Sequence, residues 1–213
     1  MPGGEASARA ATRPPRRLSR PARREQLVAA AMPIAAAQGL AELSLDEIAA
    51  QAGVTRNLLY HYFPRGRQDV ALAVLERAGH ELADDWVVDE AIALQERLAV
   101  NVQRMIDHAL EPTDAWRIYR LARATTDAEM AAIMRRFLDM VVSAISLNQF
   151  GTPSPQPLQR TALLGYVGFF ETVLDEARTQ DIPLDRLLRL LSDALVAVVA
   201  AGNAASDQPL TPR

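Results

Sequence analysis

The sequence predicts an all-α protein of about nine helices, and three observations carry that prediction. Nearly half of its 213 residues are hydrophobic while only 5% are aromatic, and an Ala-rich composition favours helix over strand. From about residue 21 onward, apolar residues recur at three- and four-residue spacing, and no alternating strand pattern occurs. Capping residues start these segments, and Gly or Pro stops them.

Residues 1–19 contain Pro2, Pro14 and Pro15 and little to bury, so they read as a disordered basic arm. Seven Arg lie between Arg9 and Arg24. They read either as a solvated tail or as an arm that touches phosphates or enters a minor groove. Helix 1 follows to Gln38 and stops at Gly39. Pro33 lies inside it, removes one backbone donor and predicts a kink.

Ser44-Leu45-Asp46-Glu47 is a capping box that starts helix 2, with Ile48 and Ala49 facing inward and Gly53 ending it. Thr55 caps helix 3, which ends near Pro64. Leu59 and Phe63, four apart, share its inward face. Helix 4 starts near Gly66 and carries Val70, Val74, Leu75, Ala78, Leu82 and Trp86 on one side. Helix 5 covers roughly 90–110 and is closed by Pro112. A short helix holds Trp116, Tyr119 and Arg120, and a longer one runs through Met130, Phe137 and Ile145. The stretch "GTPSPQP" at 151–157 cannot be helix. Two long helices, about 157–180 and 184–201, complete the chain.

Composition excludes several functions. With no Cys, disulfides, thiolate nucleophiles and Cys-based zinc sites are ruled out. The longest apolar run, Ala194 to Gly202, is shorter than the roughly 20 residues a bilayer span needs. No hydrophobic stretch follows the basic start, so Arg16-Arg17 does not read as an export signal, and a cytoplasmic location without a membrane partner is expected. Three His are present. His80 and Asp84 form an i, i+4 pair, yet Glu81, Asp85, Asp89 and Glu90 surround it, which reads as a solvated acidic face rather than a metal site. No nucleophile motif or phosphate loop occurs, so no enzyme, metal or cofactor is expected.

Charge is distributed unevenly. Residues 1–67 carry ten Arg against five acids, and residues 68–213 carry thirteen Arg against twenty-one. A basic front on an acidic body suits a front that meets a polyanion. Helix 2, the turn Ala52-Gly53-Val54 and helix 3 have helix-turn-helix spacing, in which the second helix enters the DNA major groove by its N-terminal end. Arg56 and Asn57 fall in that first turn. Arg pairs bidentately with guanine and Asn with adenine. Thr55, Tyr60 and His61 suit phosphates, Arg65 and Arg67 add charge, and Ser44 sits at a helix N-terminus that also favours phosphate.

Residues 26–75, "QLVAAAMPIAAAQGLAELSLDEIAAQAGVTRNLLYHYFPRGRQDVALAVL", resemble the N-terminal domain of the TetR family of bacterial transcriptional regulators. The resemblance rests on the helix ending in Gly39, Ser44 before "LDEIAAQAGV", Thr55, Leu59-Tyr60 and Tyr62-Phe63. It implies a DNA-binding domain over 20–67 and a helical regulatory and dimerisation domain over 68–213. It implies a homodimer on a palindromic double-stranded operator, repressing until a small-molecule effector releases it. Two departures stand out. Gly66 occupies the place of the family's phosphate-contacting Lys, leaving Arg65 or Arg67 to substitute, and Ile34-Ala35 replaces a bulky pair late in helix 1. The first motivates an alternative: a helical small-molecule-binding or adaptor protein without specific DNA binding.

The last two helices are the candidate subunit interface. Leu158, Ala162, Gly165 and Phe169 on the first, with Leu187, Leu191, Ala194, Leu195 and Val198 on the second, are apolar or small over a wide face. A pocket for a mostly apolar effector is expected among Trp86, Met105, His108, Trp116, Tyr119, Arg120, Phe137, Met140, Tyr166 and Phe170.

Overall fold

The computed structural model describes residues 18–84, 92–180 and 182–206. The basic arm up to residue 17 and the pocket candidate Trp86 therefore lie outside the described residues. Among those described, nine α-helices and one 3-10 turn occur and no strand. The helices are α1 (Arg20–Gln38), α2 (Leu45–Ala52), α3 (Arg56–Tyr62), α4 (Arg67–Asp84), α5 (Leu94–Leu110), α6 (Asp114–Ala122), α7 (Ala128–Phe150), α8 (Pro157–Ala177) and α9 (Leu184–Ser206). The 3-10 turn Leu40–Glu42 had no sequence signal, and α9 runs five residues past its expected end.

Local chemistry explains the boundaries. The Ser19 hydroxyl accepts from the Ala22 N–H at the start of α1, and Gly39 ends it at φ +88°. Helix α1 continues through Pro33. The Ser44 hydroxyl accepts from the Glu47 N–H at 3.3 Å, but the Glu47 carboxylate accepts from the Gln38 side chain at 2.9 Å. The expected capping box is thus half made, and its second half ties α2 to α1 instead. Gly53 closes α2 at φ +64°, a left-handed turn that glycine adopts without strain. Asp127 caps α7 by accepting from the Met130 N–H at 2.9 Å. Gln156 and Gln159 cap α8 reciprocally.

Leu27, Val28, Ile48 and Leu59 of the first three helices and Phe63 just after them are buried in one core with Val70 and Val74 of α4. Small residues Ala31 and Ala35 are fully buried on α1, which packs on α4 and α6 as well as α2. Ala35 therefore faces the core, and its small size lets neighbouring helices approach where a bulky side chain was expected. Helix α4 also packs on α6 and α7. It meets α7 closely at Gly79, where a Cβ would lie 3.4 Å from the Phe137 ring. Helix α4 is thus continuous between the helix-turn-helix and the rest of the bundle.

Helices α8 and α9 form the most extensive pair. Leu187, Leu191 and Leu195 are buried within the chain. This corrects their expected place in a subunit interface: they form the inner edge of α9. By length and composition α9 is apolar enough to cross a membrane, but that inner edge is packed against the chain.

Candidate nucleic-acid interface

Helix α3 has seven residues, and of these only Leu59 is buried. Phe63, just past its end, is also buried and lies under the Arg24 guanidinium at 5.1 Å. The Gln26 side chain donates to the Ala52 carbonyl at 3.1 Å and fixes α1 against the end of α2. Val54, in the turn, is partly buried against the core. With the scaffold held from behind, Thr55, Arg56, Asn57, Tyr60 and His61 all stand exposed on one side. Thr55 occupies the cap position, but its side chain makes no capping bond.

Arg56 does not extend straight into solvent. Its Nη1 donates to Asp46 at 2.8 Å and its Nη2 to the Tyr60 hydroxyl at 3.4 Å. Its guanidinium carbon lies 5.8 Å from the centre of the Tyr60 ring. The bond to Tyr60 and then the Asp46 charge raise its pKa, so it is cationic at any ordinary pH. Tyr60 in turn lies against Gly66, where a Cβ would come 3.1 Å from the ring and 3.4 Å from Leu45. Gly66 has φ +63°. A side chain here is strained by conformation, and it fits only if the Tyr60 ring shifts by a few tenths of an ångström.

The two candidate substitutes for a cation at Gly66 differ. Arg65 is held by Asp69 at 2.6 Å and by Glu129 of α7 at 2.8 Å, and these bonds, Glu129's first, raise its pKa. Gln68 donates to Asp127 at 3.0 Å and to Glu129 at 3.3 Å. This cluster ties the start of α4 to the start of α7. Arg67, the first residue of α4, is exposed and makes no ion pair among the described residues. The bonds to Asp46, Asp127 and Glu129 were missed in the sequence, because their separations follow no helical period.

A helix-turn-helix scaffold with an exposed, cation-bearing second helix invites comparison with known proteins. The profile of bacterial regulatory proteins of the tetR family matches residues 27–74. The N-terminal domain is thus of the tetR type over residues 27–74. The HTH-type transcriptional regulator SrpR of Pseudomonas putida is 39% identical over 69 residues, 32% of this chain and 32% of that protein. The match thus spans about a third of that relative's length. A TetR-family regulator from Streptomyces coelicolor is similar over 88% of this chain and 85% of its own, with 25% identity and a TM-score of 0.71. The multidrug binding protein EbrR, solved with proflavin, shares the fold over 83% of this chain and 99% of its own, at 17% identity and a TM-score of 0.59.

Behind the TetR-type domain, the expected pocket residues divide. Met105, Tyr166 and Phe170 line one narrow cavity of ≈ 50 Å³ between α5, α7, α8 and α9, together with Val102, Ile145 and Leu195. Tyr166 donates to the Leu191 carbonyl at 3.0 Å, and burial pushes its pKa up. Asn101, Asn148 and Gln149 add polar groups that sequence reading passed over, and the Oδ1 of buried Asn148 has no hydrogen-bond partner among the described residues. The other candidates lie elsewhere. Trp116, Tyr119 and Phe137 are core, with the Tyr119 and Phe137 rings edge-on at 4.9 Å. The Tyr119 hydroxyl donates to buried Glu171 at 2.6 Å. Arg123 pairs with the same carboxylate, and Arg120 pairs with Asp175. That polar bridge joins α6 to α8, so Tyr119 and Arg120 are structural here. His108 is half-buried on α5 and is not part of the cavity wall; Met140 is exposed.

The outer side of α8 and α9 carries an apolar groove of ≈ 440 Å³ lined by Ala162, Gly165, Phe169, Ala194, Ala197 and Val198. Leu158 on α8 and Leu190 and Val196 on α9 are also exposed. A Cβ built at Gly165 meets nothing within 4 Å. Of the expected interface residues, Leu158, Ala162, Gly165, Phe169, Ala194 and Val198 thus remain open or only partly covered.

Proposed function

We propose that the protein is a sequence-specific DNA-binding transcriptional regulator rather than an enzyme, acting in the cytoplasm without metal or cofactor. The observation that carries this reading is α3 itself: one buried leucine holds it, and Arg56, Asn57, Tyr60 and His61 face outward. Their donors suit base edges and phosphates. Arg67 supplies the phosphate contact at the start of α4, because Arg65 is occupied by Asp69 and Glu129. Ser44 and Thr55 add contacts at the N-termini of α2 and α3.

Two chains pair through the open side of α8 and α9, which is why that face carries Leu158 and Phe169 exposed and Val198 only partly covered. We read α9 as an interface helix, not a membrane span. Pairing sets two recognition helices about one DNA turn apart on a palindromic operator. A small, mostly apolar effector enters the cavity at Met105, Tyr166 and Phe170; EbrR, of the same fold, holds proflavin. An effector that binds the displaced state more tightly moves α4, changes the spacing and lifts repression.

The test is to select bound fragments from genomic DNA with the purified protein and to measure their retardation against salt. A selected palindrome whose binding weakens steeply with salt, as counterion release requires, supports the regulator. Binding indifferent to sequence supports an adaptor that uses only the helical half. Thermal-shift screening then identifies effectors, and a stabiliser that never alters DNA affinity overturns the switch.

A further inference from the structure

We infer that Asp46 and Tyr60 are positioning residues for base recognition: they clamp Arg56 from two sides, and Gly66 makes the room for the clamp. The inference rests on the DNA-binding reading above and adds how its specificity arises. Asp46 lies in the first turn of α2 and accepts from Arg56 Nη1 at 2.8 Å across the helix-turn-helix. Tyr60 lies one turn along α3, receives Nη2 at 3.4 Å and places its ring near the guanidinium. Tyr60 is fixed in turn by Gly66, whose missing Cβ leaves the space where the ring edge sits. The residue that breaks the family pattern thus supports the residue that reads DNA.

A guanidinium carries five N–H donors in a rigid fork. Asp46 and Tyr60 engage two nitrogens and leave Nε–H and the outer N–H groups to meet a guanine edge. Holding the fork beforehand lowers the ordering penalty on binding. Asp46 also has a second, opposite effect. Its carboxylate is 70% exposed on the DNA-facing side and repels phosphates of every sequence alike. The repulsion weakens all DNA, while the ordered Arg56 favours only sites with guanine in place. Together these widen the gap between specific and non-specific binding.

The experiment uses the full chain and a random double-stranded oligonucleotide library, followed by affinities for the most enriched duplex and a scrambled one. The variants are D46N, Y60F, R56A and D46N/R56A, each checked for an unchanged helical spectrum. The wild type is expected to enrich a guanine at one position of each half-site. D46N is expected to bind the scrambled duplex more tightly, to bind the enriched duplex more weakly and to relax that guanine, so that the specificity ratio falls roughly tenfold. Y60F, which keeps the ring, is expected to relax it less. In R56A the guanine preference is lost, and adding D46N changes only the non-specific term. If D46N tightens both duplexes equally with the guanine preference intact, Asp46 is merely a repelling charge and the clamp is overturned. A wild type that enriches no sequence overturns the DNA-binding reading itself, which is a different result.

Discussion

Helix α3 and the α8–α9 pair both leave one face uncovered by their own chain, and the two faces differ in kind. On α3 the open side is Arg56, Asn57, Tyr60 and His61, while a single leucine anchors the helix. On α8 and α9 it is Leu158, Gly165, Phe169, Ala197 and Val198. Donors standing in water lose little there and gain most against a polyanion. Apolar groups standing in water forgo about 25 cal/mol per Å² until another apolar surface covers them. What a helix keeps off its own core therefore bears on its partner: the first face suits nucleic acid, and the second suits the copy of this chain proposed above.

The largest expected effect breaks the second face. Phe169→Glu combined with Val198→Glu would require two carboxylates to be buried unpaired if subunits meet there. Sedimentation is expected to show half the wild-type mass with the helical spectrum intact. Operator affinity is expected to fall by about a hundredfold or more, because the two half-sites no longer act together. A variant that keeps the wild-type mass removes the contrast between the faces.

The first face is sharpened by Arg56→Ala and Asn57→Ala. Each is expected to weaken the selected operator by roughly tenfold to a hundredfold and a scrambled duplex much less. Arg67→Ala is the control, with both duplexes weakened alike and the salt slope reduced by about one. Retardation titrations at several salt concentrations separate the two patterns.

Gly66→Ala probes the support beneath that face. A left-handed conformation costs an L-residue about 1–2 kcal/mol, and the added Cβ presses on Tyr60 at 3.1 Å. Urea unfolding is expected to show a loss of that order. Guanine preference is expected to weaken as well, since the ring no longer seats Arg56.

The sequence disclosed the scaffold because its signals are local. Gly39, Gly53 and Gly151 stop helices where predicted, each at a positive φ, and Leu59 and Phe63 lie on the inward face that their spacing assigns. The outward set on α3 was legible for the same reason, as it is what remains once two positions are buried. Pairings across helices were not. Asp46 lies ten residues from Arg56, and Glu129 sixty-four from Arg65, so neither pair shares a helical face. Aromatic content says what is buried and not what surrounds a void. Trp116, Tyr119 and Phe137 fill the core, whereas Asn148, a polar residue on an otherwise apolar helix face, borders the cavity.

The smallest expected effect separates Arg65 from Arg67. Arg65 and then Gln68 hold the Glu129 carboxyl below its ordinary pKa. The Met130 N–H, with Gln68 and others after it, does the same for Asp127. A carboxylate whose folded pKa is lowered contributes stability above its unfolded value of roughly 4, and that contribution is lost as pH falls through the lowered value. Glu129 is exposed and Asp127 only partly covered, so the effect is a modest one. The melting temperature of the wild type is expected to drop on acidification below about pH 5. In Arg65→Gln part of that drop is absent, because Glu129 then titrates closer to its ordinary range in both states. The same variant is expected to leave the salt slope of operator binding unchanged, since Arg65 serves the contact between α4 and α7. If Arg65→Gln reduces the salt slope and Arg67→Ala does not, the two arginines exchange roles, and the polar face of the DNA-binding domain extends along the turn instead of onto α4.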